Sequence, residues 1–232
     1  MGISNAAPRS PEIVINEIMY HPISEDSDDE YLEIHNRSTD AFDLSGWRLN
    51  GEVSYVLPPE TVLPAGGYLV IAKNAERLTT NYPNLSASNT IGNFAGTLSN
   101  RGGRIVLEKP DDIQVLLESG EIEVDRIWIA EDEVTYNDGG RWGQWSDGGG
   151  SSLELMDAKS DNRFASNWGD SDETSKGEWT TVEHTGRLDN GRGAFNEVQF
   201  FLLGGGECLV DDLFVAPVGG ANRVSNGNFE SG

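Results

Sequence analysis

The segment Tyr31-Leu-Glu-Ile-His-Asn36 decides the fold, because its apolar and polar side chains alternate. Leu32 and Ile34 alternate with Glu33 and His35. Successive side chains of a strand point to opposite faces of the sheet. The pattern therefore predicts a strand with one buried face and one solvated face.

Short apolar segments of this kind occur along the whole chain, and Gly, Asn, Asp and Ser fill the gaps between them. They predict strands at 13–20, 31–36, 68–72, 104–108, 123–129, 152–156, 198–203 and 208–215. Helical character is limited to one predicted turn at 74–78. Many short strands separated by turns predict an all-β protein built as a β-sandwich.

The charge balance excludes several classes of partner. The chain has 232 residues and a formal net charge of −23. Its average field repels DNA, RNA and anionic membranes, so we expect no nucleic-acid partner. No apolar run approaches the roughly 18 residues that cross a membrane, so we expect no membrane insertion.

The cysteine content says little about the compartment. Cys208 is the one cysteine, so no disulfide can form within the chain. Its Glu-Cys-Leu-Val context predicts a buried strand position. No signal peptide is evident at the N-terminus.

Composition predicts how the chain is organised. Residues 1–11 are rich in Pro, Ser and Asn and are predicted to be a flexible lead-in. Residues 12–170 carry most of the strand signals. Residues 171–178 lack apolar side chains and are predicted to be a linker, followed by a second β-rich segment at 179–232.

Several motifs of the first segment resemble the lamin-tail domain and follow that family's order. They are Glu30-Tyr-Leu-Glu-Ile-His-Asn36, Asp43-Leu-Ser-Gly-Trp-Arg-Leu49, Tyr55-Val-Leu-Pro-Pro59, Leu63-Pro-Ala-Gly-Gly67, Tyr68-Leu-Val-Ile-Ala72, and Leu98-Ser-Asn-Arg-Gly-Gly103 with Arg104-Ile-Val-Leu107. The resemblance runs from Ile13 to about Trp168. It implies an immunoglobulin-like β-sandwich.

The opening Ile15-Asn-Glu-Ile18 and the ending Ser152-Leu-Glu-Leu155 with Asn167-Trp168 resemble the bacterial branch of that family. Its members occur in large secreted or cell-surface proteins. The resemblance thus implies a non-catalytic interaction or accessory module. We expect it to contact neighbouring domains of a longer parent chain, a polysaccharide or a cell-surface protein.

The tail from about Trp179 to Gly232 resembles part of a carbohydrate-binding-type jelly roll. The similar motifs are Glu207-Cys-Leu-Val-Asp-Asp212-Leu and Asn226-Gly-Asn-Phe-Glu230. In such jelly rolls an Asn-Gly-x-Phe-Glu strand usually opens the body of the sandwich. We therefore expect only part of such a domain in this chain.

The sequence contains no recognisable catalytic motif. A Gly-x-Ser-x-Gly elbow and a phosphate-binding loop are both missing. His21, His35 and His184 lack metal-ligand spacing. We expect no enzymatic activity, and hydrolysis by acidic residues with calcium is the alternative.

Calcium is the predicted ion because hard cations favour several oxygen ligands on a flexible loop. Asp26, Asp28, Asp29 and Glu30 place four carboxylates within five residues, and Glu17 on the preceding strand is a candidate fifth ligand. The alternative is a solvated acidic loop without an ion.

A second structural calcium site is implied by the jelly-roll resemblance alone. Such modules often hold an ion between the Glu of the opening strand and an Asp of the last strand. The matching residues are Glu230 and either Asp211 or Asp212.

An aromatic segment favours carbohydrate binding as the alternative function. Tyr136, Trp142 and Trp145 lie in a stretch rich in Gly and Asp. Exposed aromatic rings stack on sugars, while Asn, Asp and Gln bind the hydroxyl groups. The competing interpretation is that both tryptophans cover the core of the sandwich.

Overall fold

The alternating apolar segments form the strands of the first of two compact units. The computed structural model describes residues 11–116, 119, 121–172, 179–187, 198–201 and 208–230. The units are Met1–Asp172 and Glu173–Gly232. Every strand and helix of the described residues lies in the first unit, and none of the helices is long and apolar enough to cross a membrane.

The strands are β1 (Ile13–Met19), β2 (Tyr31–Asn36), β3 (Phe42–Asp43), β4 (Arg48–Gly51), β5 (Val53–Val56), β6 (Val62–Leu63), β7 (Tyr68–Ala72), β8 (Thr90–Gly92), β9 (Ala95–Gly96), β10 (Gly102–Leu116), β11 (Ile122–Asn137), β12 (Leu153–Leu155) and β13 (Trp168–Asp170). The helix α1 spans Ala75–Asn81. Single 3-10 turns occur at Ser27–Asp29 and Ala165–Asn167.

Two larger sheets enclose the core. The first has six strands in the order β13-β12-β1-β2-β7-β8, and the second has five in the order β11-β10-β4-β5-β9. The strands β3 and β6 pair separately. The β7–β8 pair is parallel. This arrangement confirms the predicted all-β, immunoglobulin-like sandwich.

The core between the sheets includes the alternating apolar residues of β2 and the large aromatic side chain of Trp47. Leu32 and Ile34 are fully buried between the sheets. Trp47 is delivered into the same cluster by a turn at Gly46, whose φ of +72° favours glycine. The outer face of β2 is less solvated than predicted, because His35 is buried beneath the ring of Tyr68 at a centroid distance of 4.1 Å.

The predicted strands at 13–20, 31–36 and 68–72 are confirmed as β1, β2 and β7. The predicted helical turn is confirmed as α1. Its first turn is capped by Asn74, whose side chain accepts a hydrogen bond from the Arg77 amide.

The largest departure from the predicted strand lengths is the hairpin of β10 and β11. Short strands are predicted at 104–108 and 123–129, but β10 and β11 pair over their full lengths. The neighbouring strand β4 pairs with β10 only as far as Glu108. We refer to the two-stranded continuation, residues 109–116 and 122–129, as the arm.

The predicted strands of the second unit are not found in the described residues. Residues 198–201 and 208–215 form no strand, and 202–203 lie outside the described residues. Cys208 is exposed, so its predicted burial was wrong. Apolar content alone does not make a strand, because backbone N–H and C=O groups need a partner strand to pair with.

One buried acid connects β11 to the part of β1 that β12 leaves unpaired. β1 pairs with β12 only at Glu17 and Ile18, so the edge at Ile15 needs another partner. Asp132 supplies it: the Ile15 amide donates to Asp132 Oδ2 at 2.7 Å, and Asn162 Nδ2 donates to the same oxygen at 2.6 Å. Asp132 follows an irregularity in the β10–β11 ladder that turns its side chain toward β1.

Candidate functional site

The predicted calcium loop is arranged around an arginine. The guanidinium of Arg77, on α1, donates to both carboxylate oxygens of Asp29 at 2.6 and 2.8 Å. It also lies 2.9 Å from a carboxylate oxygen of Asp26. Asp28 accepts a hydrogen bond from Asn74 Nδ2 at 3.1 Å. The Arg77 guanidinium, aided by a bond from the Ser24 hydroxyl, lowers the pKa of Asp29.

Glu30 points away from this loop and into the interior. It is 1% exposed and accepts a hydrogen bond from the Leu98 amide at 2.9 Å. The nearest cation is Lys73 Nζ at 4.0 Å. Burial raises the pKa of Glu30 to about 7. Glu30 thus holds the segment around Leu98 in place.

Glu17 also lies apart from the loop. Its carboxylate accepts hydrogen bonds from the Tyr31 hydroxyl at 2.5 Å and from the Ser152 hydroxyl. In the described part of the chain, no group of three or more His, Cys, Asp or Glu side chains is arranged to hold a metal ion. Calcium binding at this loop stays a prediction, and an ion there would compete with Arg77 for Asp26 and Asp29.

The residues of the second predicted calcium site lie in the second unit. Asp211, Asp212 and Glu230 are all exposed. The Asp211 carboxylate accepts a hydrogen bond from the Asp212 amide at 2.7 Å. Calcium binding by these residues stays a prediction as well.

The aromatic segment is an ordered loop held by one carboxylate. Asp170, on β13, accepts hydrogen bonds from the amides of Gln144 and Ser146 at 3.1 and 2.8 Å. Gly143 packs so closely on that carboxylate that a Cβ atom would lie 2.3 Å from it. The loop between Trp142 and Ser146 is therefore fixed to the edge of the six-stranded sheet.

The three predicted sugar-binding rings occupy different environments. Tyr136 is 1% exposed and donates its hydroxyl to the Ser99 carbonyl at 3.0 Å, so its ring is not accessible as a surface platform. Trp142 is half-buried and packs near Trp168 at a centroid distance of 6.1 Å. Trp145 is 45% exposed. Carbohydrate binding stays a prediction, and it now depends on Trp145.

A row of three glutamates is a feature that sequence reasoning missed. Glu17, on β1, lies directly opposite both Glu33, on β2, and Glu154, on β12. The row lines an open cleft of about 410 Å³ together with Asn16 and Tyr68. Like charges directly opposite one another on neighbouring strands destabilise a sheet.

Among the glutamates of this row, Glu33 has a raised pKa. Burial, with the nearby charges of Glu17 and Glu154, raises the pKa of Glu33 to about 7. A hydrogen bond of 3.1 Å from Asn16 Nδ2 opposes this shift. The row therefore retains a proton close to neutral pH, at which an ordinary glutamate is ionised.

A solved structure and a family model are similar to this chain. The chain is similar to a solved DUF4876 family protein from Bacteroides thetaiotaomicron VPI-5482, with 17% identity and a TM-score of 0.37. The similarity covers 56% of this chain and 54% of that chain, about half of its length. No curated protein matches. The family model described as Lamin Tail Domain matches residues 6–169. Because that match spans well over half of the sequence, the chain belongs to the lamin tail domain family.

Proposed function

We propose that this chain is a non-catalytic interaction module of a large extracellular or surface bacterial protein, and that it docks another protein through its arm. The partner is a neighbouring domain of the parent chain or a separate cell-surface protein. The observation that carries the proposal is the exposure of apolar side chains on both faces of the arm.

These apolar side chains belong to both strands. The exposed residues are Ile113, Val115, Leu116, Ile122, Val124 and Ile127, with exposures from 36% to 71%. Three of them, Leu116, Ile122 and Val124, share one face of the arm, and the other three share the opposite face. Clusters of exposed apolar side chains mark protein interaction sites more often than ordinary surface does. An isolated two-stranded hairpin is also marginally stable in water, so a partner that covers its faces stabilises it.

The base of the arm is anchored to the sandwich. The guanidinium of Arg48 lies 3.9 Å from the ring centroid of Trp128 and donates to Glu108 at 2.6 Å. Lys109 lies 3.1 Å from Glu131 across the hairpin. These contacts fix the direction of the arm where it leaves the sandwich. The outer part of the arm stays available for contact with a partner.

Hydrogen exchange of the isolated chain tests whether the arm is unprotected in the absence of a partner. We expect amides of residues 111–116 and 122–128 to exchange about a hundredfold faster than those of 104–107 and 133–136, because the arm lacks the packing that protects the sandwich. The measurement is hydrogen–deuterium exchange resolved by peptide. Both pairs of segments belong to the same hairpin, so the sandwich half is an internal control. Equal protection along the hairpin would show that the arm is already stabilised and would remove the support for docking.

A further inference from the structure

The outer strand of the arm has a free edge. β11 is the outermost strand of its sheet, and β10 is its ladder partner from Ile122 to Ile129. In the described part of the chain, no other strand pairs with this stretch. A strand edge of this kind offers a row of backbone N–H and C=O groups to an extended segment of another chain.

The two faces of this edge differ in chemistry. Glu123 and Asp125 lie on one face, because alternate residues of a strand share a face. Ile122 and Val124 lie on the other face and are more than 60% exposed. A strand added beside residues 122–125 would therefore place every second side chain next to a carboxylate and the intervening ones next to apolar groups.

The carboxylates of this edge have no cationic partner among the described residues. Arg126 is paired with Asp112 at 2.7 Å and so does not neutralise them. Lys109 is paired with Glu131. The charges of Glu123 and Asp125 are therefore available to cations from a partner, and the net charge of −23 attracts a basic partner from a distance.

We infer that the arm binds an extended basic segment of a partner protein as an added strand beside β11, in which cationic side chains alternate with apolar ones. The cations lie beside Glu123 and Asp125, and the apolar side chains lie beside Ile122 and Val124. This inference rests on the proposed function and gives the partner its chemistry. A second copy of the chain fits less well, because edge-to-edge pairing of two β11 strands brings like charges together.

A short, end-blocked peptide of alternating lysine and valine tests the inference in fluorescence anisotropy with the full chain. We expect it to bind, and we expect the double variant Glu123→Lys/Asp125→Lys to bind at least about tenfold more weakly. A peptide of alternating glutamate and valine should not bind. A lysine–valine peptide with N-methyl groups on alternate residues should lose binding, because it cannot complete the ladder.

The control variant Glu60→Lys/Glu76→Lys makes the same change in net charge at exposed positions outside the arm. Its affinity for the lysine–valine peptide should stay within about twofold of that of the unchanged chain. A change of this size is what the weaker long-range attraction alone would cause. Thermal melting confirms that both double variants are folded.

Several results would overturn the inference. They are failure of the lysine–valine peptide to bind, equal binding by the N-methylated peptide, equal losses in the two double variants, and a dimer in solution that forms through the arm. None of these results decides whether the arm docks a protein at all. Hydrogen exchange and cross-linking test that role separately, because neither depends on the chemistry of the partner.

Discussion

Replacement of Asp132 by alanine is expected to lower the free energy of unfolding by about 3 kcal/mol. The side chain is 5% exposed and accepts two hydrogen bonds at one oxygen, from the Ile15 amide and from Asn162. Asn162 in turn accepts a hydrogen bond from the indole of Trp168 at 2.7 Å. Alanine leaves the buried Ile15 amide without this acceptor, and it leaves Asn162 Nδ2 with only its longer hydrogen bond, of 3.3 Å, to the Ile15 carbonyl. We therefore expect β1 to loosen at Ile15. Chemical denaturation monitored by tryptophan fluorescence measures the loss.

Asp132→Asn is the matched control. Its amide oxygen can occupy the position of Oδ2 and accept both hydrogen bonds, and it removes a carboxyl whose pKa burial raises. We expect this variant to lose about 1 kcal/mol or less. Equal losses in the alanine and asparagine variants would show that the shared oxygen does not hold the edge of β1.

The second large effect is a dependence of stability on pH that Glu33 imposes. The pKa of Glu33 is raised to about 7 in the folded chain, so the folded state binds a proton that the unfolded state has released. Stability must then fall as the pH rises from the pKa of the unfolded chain through that of the folded chain. Allowing for its partial exposure, Glu33 contributes a fall of about 2 kcal/mol between about pH 5 and about pH 8.

Glu33→Gln should remove this contribution. Its free energy of unfolding should equal that of the unchanged chain at about pH 5 and exceed it by about 2 kcal/mol at about pH 8. Glu30, His21 and Asp132, whose pKa values are also raised, leave a residual fall of the same sign in both proteins. The exposed control Glu60→Gln should parallel the unchanged chain. If the stability of Glu33→Gln also fell with pH as steeply as that of the unchanged chain, the pH dependence could not be assigned to Glu33.

Much of the first unit could be predicted because its signals are local. The alternation of Leu32 and Ile34 with polar residues requires no knowledge of neighbouring strands, and it is confirmed in β2. Trp47 follows the turn at Gly46 and lies in the core. A signal for Asp132 was also present, since it is in phase with the buried Val134 and Tyr136 on one face of β11.

The remaining features depend on strand register and partners, which a single sequence does not contain. Glu17, Glu33 and Glu154 are distant along the chain and become neighbours only when β1, β2 and β12 pair. The length of the arm depends on pairing between β10 and β11 beyond the point at which β4 ends. In the second unit, segments with strand-like composition have no strand partner among the described residues.

Site-specific photo-cross-linking in cells that produce the protein tests most directly whether the arm contacts another protein. A photoreactive residue replaces Ile127 on the arm or, as the control, Val62, which is 58% exposed on β6. We predict a cross-link to a second protein or a neighbouring domain from position 127 and none from position 62. No product from position 127, or equal products from both positions in folded variants, would contradict the claim.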